Sequence, residues 1–170
     1  MPTFIAFLRA VNVGGTGKLP MSELKSMGER AGFTSVCTYI ASGNVVFDST
    51  STAAKVKAAL ETSLLEYAGK PAQVLVRSGP ELAAVLANNP FPQAAPNRTV
   101  AIFLDTAPPA DTLATLSGKN NEEVVLGQRE IYVHYGDGMG DSKLKIRAAA
   151  EGTARNINTI AKLVQMAQAA

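Results

Sequence analysis

The first part of the chain alternates between short apolar runs and segments with helical spacing. Apolar runs of this length predict β-strands, and apolar residues three or four apart predict amphipathic helices. Pro20 suits the first turn of one helix, and Ser51 or Thr52 can cap the next. The predicted elements, in the order β-α-β-β-α-β, are the strand Thr3–Arg9, a helix ending at Gly32, the hairpin Val36–Asp48, a helix with Val56, Leu60, Leu64 and Tyr67 on one stripe, and the strand Ala72–Arg77.

A second round with weaker signals follows. Its predicted elements are a short helix (Pro80–Leu86), a strand (Thr99–Asp105), a helix (Asp111–Leu116), a hairpin (Glu123–Gly127 with Glu130–Tyr135), a helix beginning at Ser142 and, in place of a last strand, a helix over Asn156–Ala167. We therefore predict an α+β fold of two ferredoxin-like subdomains with antiparallel sheets, the second irregular with a C-terminal helix. The predicted domains are 1–78 and 99–170, joined by a helix and a Pro/Asn-rich linker over 79–98.

This topology makes a prediction about two polar loops. In a ferredoxin-like sheet the first two strands run the same way and the third runs opposite. The exit of the first strand (Arg9–Lys18) should therefore lie at the same edge as the hairpin tip (Ala41–Asn44). Both loops carry glycine, so we expect them to be neighbours.

The composition limits the classes of function. The 170 residues are 46% hydrophobic and 18% charged, which indicates a globular chain. The net charge of +2, without a basic stripe, makes nucleic-acid binding the third choice. The N-terminus lacks a signal-peptide pattern and no apolar run could span a bilayer, so we expect a cytoplasmic protein without membrane contact. The single Cys37 cannot form an internal disulfide and is predicted to be a small core residue.

No motif for a metal, a cofactor or nucleophilic catalysis is found. The chain has one histidine, His134, which we expect to be packed or solvated, and no serine, threonine or cysteine has an identifiable base. The adjacent Glu122 and Glu123 are predicted to form a solvated edge. Whether the protein is an enzyme stays open at this point.

The loop LRAVNVGGTGKLP is the first candidate site. It fails the P-loop pattern, because Asn12 and Leu19 stand where glycine and Ser/Thr are needed. It also fails the dinucleotide pattern, because Pro20 replaces the third glycine. Two interpretations are left open. The Gly14–Gly15 backbone and Lys18 could bind an anion, or the loop could be a connector.

Two later segments allow two interpretations as well, an anion-binding site or an ordinary structural element. In GDGMGDSKLK, Ser142 and Lys143 could receive an anion at a helix start, or form an ordinary capped helix. In TARNINT, Asn156 is a natural helix cap. Arg155 before a helix N-terminus is unfavourable unless it pairs with a ligand or with a carboxylate such as Glu151.

These residues resemble a known family. The runs LRAVNVGG, TYIASGNVVF, SKL and TARN-NT resemble the bacterial family called domain of unknown function 1697, whose members are similar in having two ferredoxin-like subdomains. The resemblance implies no established activity. Ala10 and Ile157 depart from its pattern, where glycine and tryptophan are usual. The positions it implies to belong to the pattern are Arg9, Asn12, Gly14, Gly15, Lys18, Ser42, Gly43, Asn44, Ser142, Lys143, Arg155, Asn156 and Thr159.

The leading hypothesis is binding of a small anionic, phosphate-bearing ligand through these Gly-rich and Arg/Asn loops. If the early and late positions serve one site, both sets of loops must face a common cleft; otherwise each group stabilises its own half. The alternative is a protein-interaction module or homodimer without catalytic activity. The predicted ligand-binding residues are Arg9, Asn12, Gly14, Gly15, Lys18, Ser42, Asn44, Ser142, Lys143, Arg155 and Asn156.

Overall fold

A computed structural model of the protein describes residues 1–9, 19–136 and 142–169. Within these residues the fold is α+β, with two four-stranded antiparallel sheets and four α-helices. The predicted pair of ferredoxin-like subdomains is confirmed. By its internal contacts the chain forms two compact units: unit 1 is Met1–Leu82 with Leu163–Ala170, and unit 2 is Ala83–Lys162.

Unit 1 contains the first sheet and two helices that cover one of its faces. The strand order is β2-β3-β1-β4, with β1 paired antiparallel to both β3 and β4. Alternate side chains of β1, beginning with Phe4, join the core under the helices. The elements are β1 (Thr3–Leu8), α1 (Met21–Arg30), β2 (Thr34–Tyr39), β3 (Asn44–Asp48), α2 (Ala53–Ala68) and β4 (Val74–Ser78).

Helix α2 begins and ends as its sequence indicates. The Thr52 hydroxyl accepts a hydrogen bond from the Lys55 backbone nitrogen at 3.3 Å. Gly69 ends the helix with a φ of 74°, a left-handed conformation that glycine adopts readily. Three of the four stripe residues are buried, but Tyr67 is 48% exposed, so the buried stripe ends at Leu64.

Unit 2 repeats the strand order with a different cover. Its sheet is ordered β6-β7-β5-β8, the same arrangement as in unit 1. Two 3₁₀ turns, Leu113–Thr115 and Arg147–Ala149, stand where unit 1 has α1 and α2. The remaining elements of the chain are α3 (Gly79–Ala87), β5 (Thr99–Phe103), β6 (Glu123–Leu126), β7 (Glu130–His134), β8 (Thr153–Asn156) and α4 (Ile157–Ala169).

Three predictions for the second half were wrong. The predicted helix over Asp111–Leu116 is only a 3₁₀ turn. No helix begins at Ser142, because the backbone at Lys145 instead forms an antiparallel bridge with Ser117. The chain does have a last strand, β8, because its backbone pairs with β5 along its whole length.

Cys37 was also predicted wrongly, since it is exposed. The pairing of β2 with β3 shifts between Thr34 and Cys37, and Ser35 has a φ of 52°. Such a bulge changes which side chains face the core. Val36 is buried in the core and Cys37 lies on the opposite face of this edge strand. In the described residues, every helix is too short or too polar to cross a membrane.

Candidate functional site

The end of β1 is held from both sides. The Leu8 backbone nitrogen donates a 2.9 Å hydrogen bond to the Gly43 carbonyl, in the turn between β2 and β3. The Arg9 backbone nitrogen donates a 2.9 Å hydrogen bond to the Gln73 carbonyl, just before β4. The end of β1 therefore lies beside the hairpin tip, as the topology predicts, whereas residues 10–18 of the predicted loop lie outside the described residues. The same exit also lies beside the start of β4, which fixes the backbone of Arg9.

The hairpin tip places Ser42 and Asn44 together. The Asn44 side-chain nitrogen donates to the Tyr39 carbonyl at 2.8 Å and to the Ser42 hydroxyl at 3.1 Å. Asn44 is fully buried, whereas Ser42 is exposed at the tip. Asn44 thus stabilises the turn, and it orients the Ser42 hydroxyl at the surface next to the end of β1.

On its other side, the end of β1 contributes to an open groove of about 540 Å³. One wall is a face of α2, since Ala58, Glu61, Thr62 and Leu65 are spaced i, i+3, i+4 and i+7. The lining residues are Arg9, Ala58, Glu61, Thr62, Leu65, Pro71, Ala72 and Gln73. This volume lies in the range of small-molecule sites.

A pair of charged residues on α2 fastens this groove to the sheet. Glu61 Oε2 accepts hydrogen bonds from the Lys57 Nζ atom at 3.1 Å and from the Val74 backbone nitrogen at 3.0 Å. Lys57 Nζ in turn donates to the Val74 carbonyl. Because β4 is an edge strand, these side chains take the place of a neighbouring strand at Val74. The pair thereby fixes the start of β4, including the neighbouring Gln73.

Residues 10–18, which include the glycines of the first candidate loop, lie outside the described part of the chain. The predicted site residues Asn12, Gly14, Gly15 and Lys18 are among them. Their proposed role in anion binding stays a prediction from the sequence. Of the early group, the structure describes Arg9, Ser42 and Asn44.

The late residues Ser142 and Lys143 contact the segment before β6. The Ser142 hydroxyl donates a 2.5 Å hydrogen bond to Glu122 Oε2, so it caps no helix. Glu122 is 3% exposed, which contradicts the predicted solvated edge, whereas Glu123 is exposed. The Ser142 hydrogen bond, followed by one from the Asn120 backbone nitrogen, lowers the pKa of Glu122. Lys143 is exposed, with its backbone carbonyl against Gly118.

Arg155 and Asn156 are the last two residues of β8, and α4 begins directly after them at Ile157. Arg155 lies opposite Ala101 of β5 and is 6% exposed. Its Nη1 atom donates to the Thr153 hydroxyl at 2.8 Å and to the Ala154 carbonyl at 2.9 Å. Burial lowers the pKa of Arg155 to about 10, so the guanidinium is charged at neutral pH. Arg155 still precedes the N-terminus of α4, as predicted, and its guanidinium binds the neighbouring Thr153 and Ala154 of β8.

Sequence reasoning missed most of the groove. Thr62, Leu65 and Gln73 were not singled out, because they form no motif with Arg9 along the chain. The sequence did contain one indication of the groove. Leu65 is a large apolar residue that does not belong to the buried stripe of α2. It is 47% exposed. Within the described part of the chain, no cluster of His, Cys, Asp or Glu is placed to hold a metal ion.

Comparison with known proteins identifies the family. A family model described as "Protein of unknown function (DUF1697)" matches residues 1–132. The chain belongs to this family. The match includes β1 and the groove, and ends before Ser142, so the late positions lie beyond it.

The DUF1697 fold has a counterpart among solved structures. The chain is similar to the conserved bacterial protein SP0830 from Streptococcus pneumoniae, with 25% identity, 98% of each chain covered and a TM-score of 0.80. No curated protein sequence matches the chain. The comparisons thus establish the family and the fold, and they assign no activity.

Proposed function

We propose that this protein binds a small anionic ligand at the end of β1, with Arg9 as the principal positive group. The observation that carries the proposal is the position of Arg9, a half-buried arginine in the lining of the groove beside α2. A guanidinium presents several donors in a planar fork that fits phosphate or carboxylate oxygens. Its backbone is fixed at Gln73, so little backbone freedom is lost on binding.

Neutral hydrogen-bonding groups accompany this charge. Thr62 and Gln73 line the same groove, and the Ser42 hydroxyl is exposed on the other side of the β1 end. Glu61 is the acidic residue of the lining, and its carboxylate is balanced by Lys57. A bound anion would therefore meet a positive and polar site. Ser42 and the glycine-rich loop are the further ligand contacts that the sequence suggests, and the buried Asn44 contributes by orienting Ser42.

The distribution of exposed apolar side chains supports a ligand site over the protein-interaction alternative. An interaction surface usually presents one contiguous apolar patch. Here the large exposed apolar residues are distributed over different elements, and the two on α2 are two positions apart, so they point in different directions. Among the residues that the structure describes, they are Met1, Ile40, Leu65, Tyr67, Leu113 and Val125.

The test is binding of inorganic phosphate, phosphate monoesters and simple carboxylates, measured by thermal shift and calorimetry. Ligand at ten times Kd should raise the Tm by about 3–6 °C. Arg9→Gln should weaken binding by at least about tenfold, because a charge-assisted contact is lost. Arg30→Gln is the matched control, since Arg30 lies on α1, paired with Glu23 at 3.0 Å.

Two outcomes would contradict the proposal. One is a wild-type Tm that no anion changes. The other is an equal loss of binding in Arg9→Gln and Arg30→Gln, which would show a dependence on net charge alone. A stable homodimer without any anion response would favour the protein-interaction alternative.

A further inference from the structure

The groove beside α2 combines one cationic end with an aliphatic surface. Four of its lining residues are apolar, namely Ala58, Leu65, Pro71 and Ala72. These side chains come from both walls, two from the face of α2 and two from the segment that leads into β4. A ligand that contacts Arg9 and extends along the groove therefore passes between aliphatic side chains.

The exposure of Leu65 shows where apolar contact would be most favourable. Leu65 lies at the end of the α2 face that forms the groove wall and is 47% exposed. Covering an exposed leucine stabilises a complex roughly in proportion to the apolar area removed from water. A purely polar ligand, such as inorganic phosphate, would leave this surface in contact with water.

The composition of the lining also discriminates between ligand classes. Nucleobases are commonly bound by stacking on aromatic side chains or on arginine. Among the described residues that line the groove, none is aromatic, and its arginine, Arg9, is the anion-binding group of the proposed site. The neutral hydrogen-bonding groups, Thr62 and Gln73, are few, whereas a sugar phosphate presents a hydroxyl on nearly every carbon.

We infer that the natural ligand is an anion with an aliphatic body, of the class of alkyl or acyl phosphates and carboxylates. Its acidic head would bind at Arg9, and its hydrocarbon chain would lie between Leu65 and the segment Pro71–Ala72. Phosphate and carboxylate heads share the chemistry that the guanidinium recognises. This inference rests on the proposed anion site and adds the class of ligand.

The test is a chain-length series measured by calorimetry: inorganic phosphate, then ethyl, butyl and hexyl phosphate, with butyrate, hexanoate and octanoate as a second arm. All are used below the concentrations at which they form micelles. Each added CH₂ that becomes buried should tighten binding by up to about fourfold. An affinity that increases with chain length in either series supports the inference. The series that binds more tightly identifies the head group as phosphate or carboxylate.

Two variants separate the chain from the head. Leu65→Asn should abolish most of the increase in affinity with chain length, measured as the ratio of the affinity for hexyl phosphate to that for inorganic phosphate. Leu113→Asn is the matched control, because Leu113 is 49% exposed and lies outside the groove lining. Circular dichroism would verify that both variants fold.

The outcomes distinguish this inference from the proposal on which it rests. If inorganic phosphate binds in an Arg9-dependent manner and chain length has no effect, the aliphatic ligand is excluded and the anion site stands. Tighter binding of adenosine monophosphate than of hexyl phosphate would also overturn the inference. If no anion of any length binds, both statements fall.

Discussion

The two sheets of this protein follow one plan and are covered by different means. In both, the first strand of the unit lies between the third and the fourth, and the second strand is at an edge. Unit 1 covers its core face with two helices, one of them the 16-residue α2. Unit 2 covers its corresponding core with the 3₁₀ turn Arg147–Ala149 and partly buried loop residues such as Leu144 and Ile146. Strand pairing is thus retained where helix formation is not.

One polar pair recurs at the same register position. Thr3 lies opposite Asp48, and Thr99 lies opposite His134. The Thr3 hydroxyl donates to Asp48 at 2.6 Å. The Thr99 hydroxyl donates instead to the Ala95 carbonyl, so the 3.2 Å contact with His134 requires Nδ1 of the ring to carry the hydrogen. The two units keep the threonine and differ in its partner.

A buried arginine also recurs on the last strand. Arg77 lies opposite Ile5 and Arg155 opposite Ala101, each two residues beyond the threonine of the first strand. Each donates from Nη1 to the carbonyl of the residue before it, at 3.1 Å and 2.9 Å. Both strands are sheet edges, where a side chain that occupies a backbone acceptor discourages pairing with another strand. The two units thus share the register position of this arginine as well as their strand order.

The largest expected difference between the units lies in their cores. Leu60 is fully buried under α2, so Leu60→Ala should lower the free energy of unfolding by about 2–5 kcal/mol. Leu144 in the cover of unit 2 is only partly buried, and Leu144→Ala should cost about 1 kcal/mol. Because the chain lacks tryptophan, urea unfolding is best followed by circular dichroism. Equal costs would contradict a looser cover in unit 2.

The loop cover of unit 2 depends on a close approach at Gly118. Gly118 has a φ of 68°, and a Cβ atom there would lie 1.9 Å from the Lys143 carbonyl oxygen. Gly32, which follows α1 with a φ of 91°, has no such neighbour. Alanine at Gly32 should cost about 1–2 kcal/mol for the left-handed backbone alone. Gly118→Ala should cost about 1–3 kcal/mol more, measured by the same unfolding assay, because the loop must move.

A smaller loss at Gly118 than at Gly32 would show that the segment around Lys143 shifts freely. The cover of unit 2 would then be a loose association of loops. The comparison uses two positive-φ glycines, so the strain common to both cancels in the difference.

The fold was predictable where structure is encoded locally. The six elements from β1 to β4 follow from apolar spacing, Thr52 and Gly69. The prediction failed at β8, because Thr153–Asn156 has the polar sequence TARN and becomes a strand only through its pairing with β5. Cys37 was misplaced because a bulge in β2 cannot be read from alternation. The error at β8 concerns long-range pairing, and the error at Cys37 concerns an irregular register within a hairpin.

The candidate site also has one part that the sequence predicted and one part that it did not. Topology alone predicted that the β1 exit meets the hairpin tip, and the bond between Leu8 and Gly43 confirms it. The groove could not be predicted, because it combines Arg9 with residues of α2 and the segment before β4 that lie some fifty to sixty positions later in the chain. Only the packing of α2 against β4, fixed by Lys57 and Glu61, brings them together.

The smallest expected effect is a pH dependence that belongs to unit 2. The pKa of Glu122 is lowered in the folded protein, chiefly by the hydrogen bond from Ser142. A carboxylate with a depressed pKa stabilises the fold fully above its unfolded pKa, and this stabilisation is lost as the pH falls through the folded value. Urea unfolding between about pH 6 and about pH 3 should show this loss. Glu122→Gln should be less stable than wild type at the upper end of this pH range. The difference in free energy of unfolding between the two proteins should narrow towards the lower end.

Glu123→Gln is the matched control for this experiment. Glu123 is the next residue and is exposed, so its substitution removes the same charge without removing the hydrogen bond to Ser142. Its stability curve should run parallel to that of wild type. The bond between Glu122 and Ser142 does not stabilise the loops of unit 2 if the difference in free energy of unfolding between wild type and Glu122→Gln stays constant with pH. The same conclusion follows if the difference between wild type and Glu123→Gln narrows equally towards low pH. If the difference narrows for Glu122→Gln alone, acid loosens the loop cover of unit 2 through this one contact.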